Sequence, residues 1–385
     1  MSLAVGDAPD VVHAGTFGQI FPGCPRAHRP RRYVETQRCR PPSRTMGATV
    51  GFNVVLFGAG ASRDQAANGQ PPVTDGLYLH LADIYPSWKA ERATFDGKTF
   101  ETAMATVLRA DEQLKSETRE YDPGRGYLKL TLPAGKLRST ELQWDIAEFF
   151  FRFDLAADSL YERFCVRATG AIRAGALRLA TLNYDALLFE ALDRAGIAYN
   201  VGQVGAAADS AWVCVPHGSS ILDCQAGVMT DGGISAGREG LSAEFTFGSL
   251  GINSSGAVRL FSQMDELRAK KDRLLGTPTL CFIEPSKTVT SCVNVIEAHQ
   301  SLWREWMADA SRLVVIGARL AEADNHIWGA IAAAMRRGIE VCYISGRSAE
   351  DFGEWCARNG RPPAGPLPNW YWKDGFEGAC GFLGV

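Results

Sequence analysis

The chain has no paired cysteines, no long apolar run, no excess of either charge and no internal repeat. Its ten cysteines are scattered and none stands in a CxxC pair. No spacing of cysteine with histidine suggests a zinc site, so a metal-stapled scaffold is not expected. No apolar stretch approaches the roughly 18 residues a membrane helix needs. The longest, around Phe52 to Ala61, is interrupted by Asn53 and two glycines. Forty basic residues against 43 acidic ones leave a net charge of −3, which removes the broad electrostatic reason to expect direct contact with nucleic acid. With 46% apolar and 22% charged residues over 385 positions, the composition excludes a disordered, collagen-like or coiled-coil chain. Cys214, Cys281 and Cys342 lie in apolar segments, where a reduced cysteine behaves as a small hydrophobe. In the absence of a secretory signal, a reducing cytoplasm is the expected compartment.

The residues that are present are organised unevenly. Between Phe21 and Thr45 there are five prolines and seven arginines, with Glu35 the only acid. Such a stretch cannot repay its ordering entropy, so residues 1–48 are expected to be a disordered or non-native extension, with Met46 the expected start and a nucleic-acid arm or an organelle-targeting leader the functional alternatives. From Gly51 onward the pattern is strand, glycine turn, helix, repeated, and it predicts an α/β fold with a doubly wound parallel sheet. Strands are expected at Asn53–Phe57, Leu177–Thr181, Ile197–Val201, Ala211–Val215, Thr279–Ile283, Leu313–Ile316 and Ile339–Ile344. Helices are expected at Ala186–Ala195, Val293–Ala310 and about Glu322–Arg337. Residues 76–175 carry Leu, Phe, Glu and Arg at helical spacing, which predicts a helical insertion or lid within a domain spanning 49–385. Residues 225–275 begin rich in glycine and serine and end in a charged helix around Met264 to Leu275.

Two constellations carry chemistry. Gly58-Ala59-Gly60-Ala61-Ser62 directly follows the apolar strand Val54 to Phe57, where glycines let backbone N–H groups approach a pyrophosphate and a helix N-terminus faces its charge. The sixth position of the dehydrogenase pattern holds Arg63 rather than glycine, and no acidic strand end lies about 20 residues on, which argues against hydride transfer. The second constellation is Thr181-Leu182-Asn183-Tyr184-Asp185 with Pro216-His217-Gly218-Ser219. Both sit after apolar strands, hence at the carboxyl edge of a parallel sheet. Asn183 offers an amide for a hydroxyl or water, Asp185 a carboxylate and His217 a base. Taken singly, helix capping accounts for Asn183 and Asp185 and a backbone-satisfied turn for His217, but three polar groups at strand ends in the same sheet as the glycine loop favour a shared site.

Taken in order, GAGAS, TLNYD, the strand ending in HGS, Ile283-Glu284-Pro285 with Lys287, and VVIGARLAEAD (Val314 to Asp324) resemble the SIR2 family, most nearly the SIR2-like domains of bacterial antiphage-defence proteins. The likeness covers roughly residues 50–345. It implies a Rossmann-like sheet with NAD⁺ as substrate. Gly58, Ala59, Gly60 and Ser62 would line the phosphate side, Asn183 the nicotinamide ribose and attacking water, and Asp185 the carboxamide. His217 would be the catalytic histidine, Gly317 and Ala318 the late strand-end loop, and Ser345-Gly346 the adenosine end. Asp324 matches an acid frequent in the defence branch, for which N-capping or a structural bond is an equal expectation.

The departures bear on activity. Deacylating members carry two cysteine pairs between the histidine motif and the late strands; here only Cys224, Cys281 and Cys292 fall there. Arg63 to Thr74 lacks the Phe-Arg pair of deacylases. The expectation is therefore an NAD⁺ glycohydrolase without zinc module or metal, releasing nicotinamide and ADP-ribose as a regulated antiphage effector. A zinc-free lysine deacylase or a non-catalytic nucleotide-binding assembly subunit are the alternatives. By resemblance, a homo-oligomer or a second protein of ATPase or Argonaute type would gate it.

Overall fold

The computed structural model describes residues 51–117, 119–122, 127–133, 138–201, 209–229, 234–237, 240–246, 251–272, 278–281, 293–321, 324–346, 349–359 and 371–385. The extension at 1–48 and the Ile283-Glu284-Pro285 and Lys287 positions lie outside them.

The organising element is a six-stranded sheet. In chain order its strands are β1 (Asn53–Phe57), β4 (Leu177–Thr181), β5 (Tyr199–Asn200), β6 (Ala211–Cys214), β11 (Arg312–Ile316) and β12 (Glu340–Ile344). Four others, β2 (Arg119–Asp122), β3 (Tyr127–Pro133), β8 (Ile234–Gly237) and β9 (Gly240–Thr246), form a separate antiparallel sheet, and β7 (Leu222–Met229) pairs with β10 (Gly251–Leu260). The main sheet runs β12-β11-β1-β4-β6-β5, and every pairing in it is parallel. From β1 the chain goes first to one side and later returns to the other, which makes the ends of β1, β4 and β11 the switch point where open parallel sheets bind ligands.

The apolar runs become strands because both faces of the sheet are covered. Along β1, Val55 and Phe57 enter one buried cluster while Val54 and Leu56 enter the other. The same period of two divides Val314 and Ile316 from Leu313 and Val315 in β11. Helices α10 (Val293–Asp309), α11 (Asn325–Arg337) and α12 (Ala349–Arg358) cover one face, with Trp303, Trp306, Ile331 and Phe352 fully or almost fully buried. The opposite face is covered by α5 (Arg138–Phe151), α6 (Leu160–Arg167), α8 (Leu187–Arg194) and α13 (Trp372–Leu383), whose Phe149, Phe164, Phe189 and Cys380 belong to the same buried cluster as Phe57. Helices α1 (Thr74–Ile84), α2 (Pro86–Ala90), α3 (Arg92–Phe95) and α4 (Phe100–Glu117) precede them, α7 (Thr169–Arg173) leads into β4, and α9 (Met264–Asp272) comes after β10.

Two expectations need correction, and one stretch forms elements that the sequence did not mark. Of the strand expected at Thr279–Ile283, positions 282 and 283 lie outside the described residues, and Thr279 to Cys281 join no strand of the sheet; Leu280 makes an isolated antiparallel bridge to Gly218. The segment 76–175 is helical, yet it also contributes β2 and β3, and β3 pairs with β9. The Gly- and Ser-rich stretch builds β7 to β10, because a pleated ladder needs only backbone groups and tolerates small side chains when a partner strand is at hand. No helix among the described residues is long and apolar enough to cross a membrane.

Candidate functional site

A cavity of about 480 Å³ opens at the carboxyl ends of β1, β4 and β11. Gly58, Ala59, Gly60, Asn183, Asp185, His217, Gly317, Ala318, Asp324 and Ser345 all line it. Residues distant in sequence are thus brought to one wall by the strand order. Leu77 of α1, Phe100 and Glu101 of α4 and Phe150 of α5 also line it, so the helical segment after β1 contributes directly to the enclosure.

The glycine loop works differently from the expectation. Its two glycine amides are already used: Gly58 N–H donates to Ile316 O and Gly60 N–H to Gly317 O, each at 2.8 Å. The loop then forms a single 3₁₀ turn, Ala59–Ser62, rather than a long helix. Neither those two N–H groups nor a helix macrodipole is therefore available to a pyrophosphate. The glycines are needed because two strand-end loops interlock. A Cβ on Gly58 would come within 2.4 Å of the Ala318 backbone, and Gly317, at φ +67°, would place one 2.1 Å from Ala61 N.

Ser62 is buried and joins three site residues. Asn183 Nδ2 donates to Ser62 Oγ at 2.9 Å and to Tyr161 OH at 3.2 Å, and the two hydroxyls lie 3.2 Å apart. Ser62 also hydrogen-bonds the Asp185 carboxylate. Burial pushes the Tyr161 phenol well above its ordinary range, helped by the nearby Asp185 charge, so it remains neutral and able to donate. Asn183 is then held through its nitrogen, and its Oδ1 is buried without a hydrogen-bond partner. A buried acceptor left unpaired costs about 1–3 kcal/mol, and Asn183 bears that cost while lining the cavity.

Asp185 is 4% exposed and its carboxyl is raised to about 6, chiefly by desolvation. Hydrogen bonds from Ser62 and from the Leu187 N–H (3.1 Å) pull the other way. The N-cap of α8 is Ala186, and neither Asn183 nor Asp185 occupies it; Asp185, one residue earlier, holds the Leu187 N–H while lining the pocket.

His217 is 2% exposed and Asp324 6%. His217 Nε2 lies 3.3 Å from Asp324 Oδ1 and 3.2 Å from His326 Nε2. Asp324 stands at the N-cap position of α11 but makes no capping bond with its side chain; its carboxylate meets the imidazole instead. The loop carrying His217 is pinned from behind. Cys281 N–H donates to His217 O at 2.8 Å and Ser219 N–H to Thr279 O at 3.1 Å. A Cβ on Gly218, at φ +76°, would fall 1.8 Å from Thr279 O. Ser345 Oγ donates to Ala318 O at 3.1 Å, so it braces the late loop beside the cavity.

Sequence reasoning missed two residues. Tyr161 carries no local signal, because its helical period marks it only as core. His326 could have been found from the Asp324-Asn325-His326 spacing that comes after the glycine-ended strand β11.

Fold and site together define an open, doubly wound α/β protein whose strand-end switch point holds a largely apolar cavity into which a few polar residues converge. No family model matches the chain, and no curated protein does. Among solved structures it is similar to a Sir2 homologue mutant in complex with ADP-ribose, over 76% of this chain and 79% of that one, at 15% identity and a TM-score of 0.32. A second Sir2 homologue mutant with ADP-ribose matches over the same shares at 15% identity and a TM-score of 0.30. At this level of superposition the likeness bears on neither site nor activity.

Proposed function

We propose that the protein is an NAD⁺ glycohydrolase that cleaves the nicotinamide–ribose bond. The observation that carries the reading is the shared cavity: Asn183, with its unpartnered Oδ1, and His217 line one pocket at the switch point. The order of the SIR2-like motifs supports NAD⁺ as the substrate.

In this reading Asn183 Oδ1 accepts a hydrogen bond from a ribose hydroxyl or from the attacking water. Water oxygen bonds to the anomeric carbon, the carbon–nitrogen bond breaks, and its electron pair neutralises the pyridinium ring as nicotinamide leaves. The proton released by water passes to His217. No strong acid is required at the leaving group. The barrier lies in the oxocarbenium-like sugar, which a fixed geometry and a buried carboxylate such as Asp185 stabilise. General-base assistance is worth about 10²–10⁴-fold. Arg319, also on the cavity wall, supplies a cation for the phosphates in place of the spent glycine amides, and Gly317, Ala318 and Ser345 shape the adenosine end.

An unregulated hydrolase of this coenzyme is toxic to its own cell. The proposal therefore includes gating, through homo-oligomerisation or a protein partner of ATPase or Argonaute type, with 76–175 as the lid, in a role in antiphage defence. The test is chromatography of NAD⁺ incubated with wild type and with His217→Ala, without any acylated peptide. Nicotinamide and ADP-ribose from wild type alone are expected. Intact NAD⁺ in every oligomeric state and with each candidate partner overturns the reading, and consumption that requires an acylated peptide assigns deacylation instead.

A further inference from the structure

We propose that His217, Asp324 and His326 form a binding site for a divalent transition-metal ion of the zinc class, with an open coordination position toward the cavity. The ligand atoms of the three side chains all lie within 4.8 Å of one another. Two of the separations fit a shared ion as well as they fit direct hydrogen bonds. In a tetrahedral site with metal–nitrogen bonds of about 2.0–2.1 Å, neighbouring ligand atoms stand about 3.3–3.4 Å apart. His217 Nε2 lies 3.2 Å from His326 Nε2 and 3.3 Å from Asp324 Oδ1. His217 therefore already stands at the spacing one small ion imposes from both other donors, while His326 and Asp324 lie within 4.8 Å of each other.

The chemistry of the donors points the same way. Two imidazoles and one carboxylate suit zinc, cobalt or iron far better than magnesium or calcium, which prefer oxygen ligands throughout. Three protein ligands with one further position open are the pattern of reactive rather than purely structural zinc sites. His217 and Asp324 both line the cavity, which gives an entry path and room for water. The N-terminus of α11 disfavours a cation beside Asp324, and the Asp324 carboxylate, which makes no capping bond, offsets it. An absence of cysteine pairs, on which the sequence expectation of no metal rested, has no bearing on a site of this kind.

One consequence depends on the proposed hydrolysis: an ion that ligates His217 removes the base, so loading lowers that activity. The binding itself does not depend on it. The test uses the full 385-residue chain, stripped with a chelator and titrated with Zn²⁺ by calorimetry and with Co²⁺ by visible absorption. One equivalent of Zn²⁺ is expected to bind at micromolar affinity or tighter, with a visible cobalt band and a rise in melting temperature. His326→Ala and Asp324→Asn should each weaken binding by about 100-fold or more, while circular dichroism confirms that the variants are folded. Excess Mg²⁺ should not compete. Absence of binding at millimolar Zn²⁺, or binding that both folded variants retain, overturns the proposal and leaves a hydrogen-bonded His–His–Asp cluster. Zinc binding by a metal-stripped protein that turns over no NAD⁺ would instead uphold this site and refute the hydrolase reading alone.

Discussion

Asp185→Asn should make the protein more stable and the proposed enzyme worse. The Asp185 carboxyl is raised from its ordinary 3.8 to about 6, mainly because burial disfavours its charge. Between pH 3.8 and 6 the folded chain therefore holds a proton that the unfolded chain has released, so stability falls as pH rises through that window. Above it the penalty is complete. The gap of about 2.2, at 1.36 kcal/mol each, amounts to about 3 kcal/mol, of which about half is already present at pH 5. Asparagine carries no such penalty. Its Oδ1 can still accept from Leu187 N–H, and Ser62 Oγ can accept where it formerly donated. Urea unfolding of wild type and variant at pH 5 and pH 8 measures the difference. The variant's advantage should grow with pH, reaching about 3 kcal/mol at pH 8. An advantage that is flat with pH, or a wild type more stable than the variant at pH 8, would show that the carboxylate is held ionised and would refute the desolvation argument. In the proposed reaction the same charge faces the cationic nicotinamide ring and the developing oxocarbenium sugar, so turnover by wild type should rise as pH passes about 6, and the asparagine variant should be slower despite its stability.

Gly218→Ala forces φ +76° on a residue with a Cβ aimed at Thr279 O; a loss of about 1–3 kcal/mol from the backbone alone is expected on denaturant titration, with a larger drop in NAD⁺ turnover because His217 moves with it. Tyr161→Phe removes one partner of Asn183 Nδ2 but leaves Ser62, so it should cost about 0.5–1.5 kcal/mol and reduce turnover less than Asn183→Ala does. Trp303→Ala empties a fully buried position between α10 and the sheet; about 3–5 kcal/mol should be lost by the same titration, with no direct effect on the cavity.

The sequence alone determined the sheet. In β1, β4, β11 and β12 a near-continuous apolar run of neighbouring residues marks a strand buried on both faces, and the strands fall within a residue or so of where those runs place them. The strand-end loops are legible for the same reason, since a polar or glycine-rich turn after a doubly buried strand lies at its carboxyl edge. Only the tertiary structure decided what those loops do. Asn183 meets Ser62 across 121 positions and His217 meets His326 across 109, pairings set by strand order rather than by any local period. It also turned the glycines of the first loop from anion donors into packing surfaces, because β11 brings Gly317 and Ala318 against them. Side-chain periodicity encodes which face of an element is buried; which distant element comes to lie against that face is settled by how the whole chain packs.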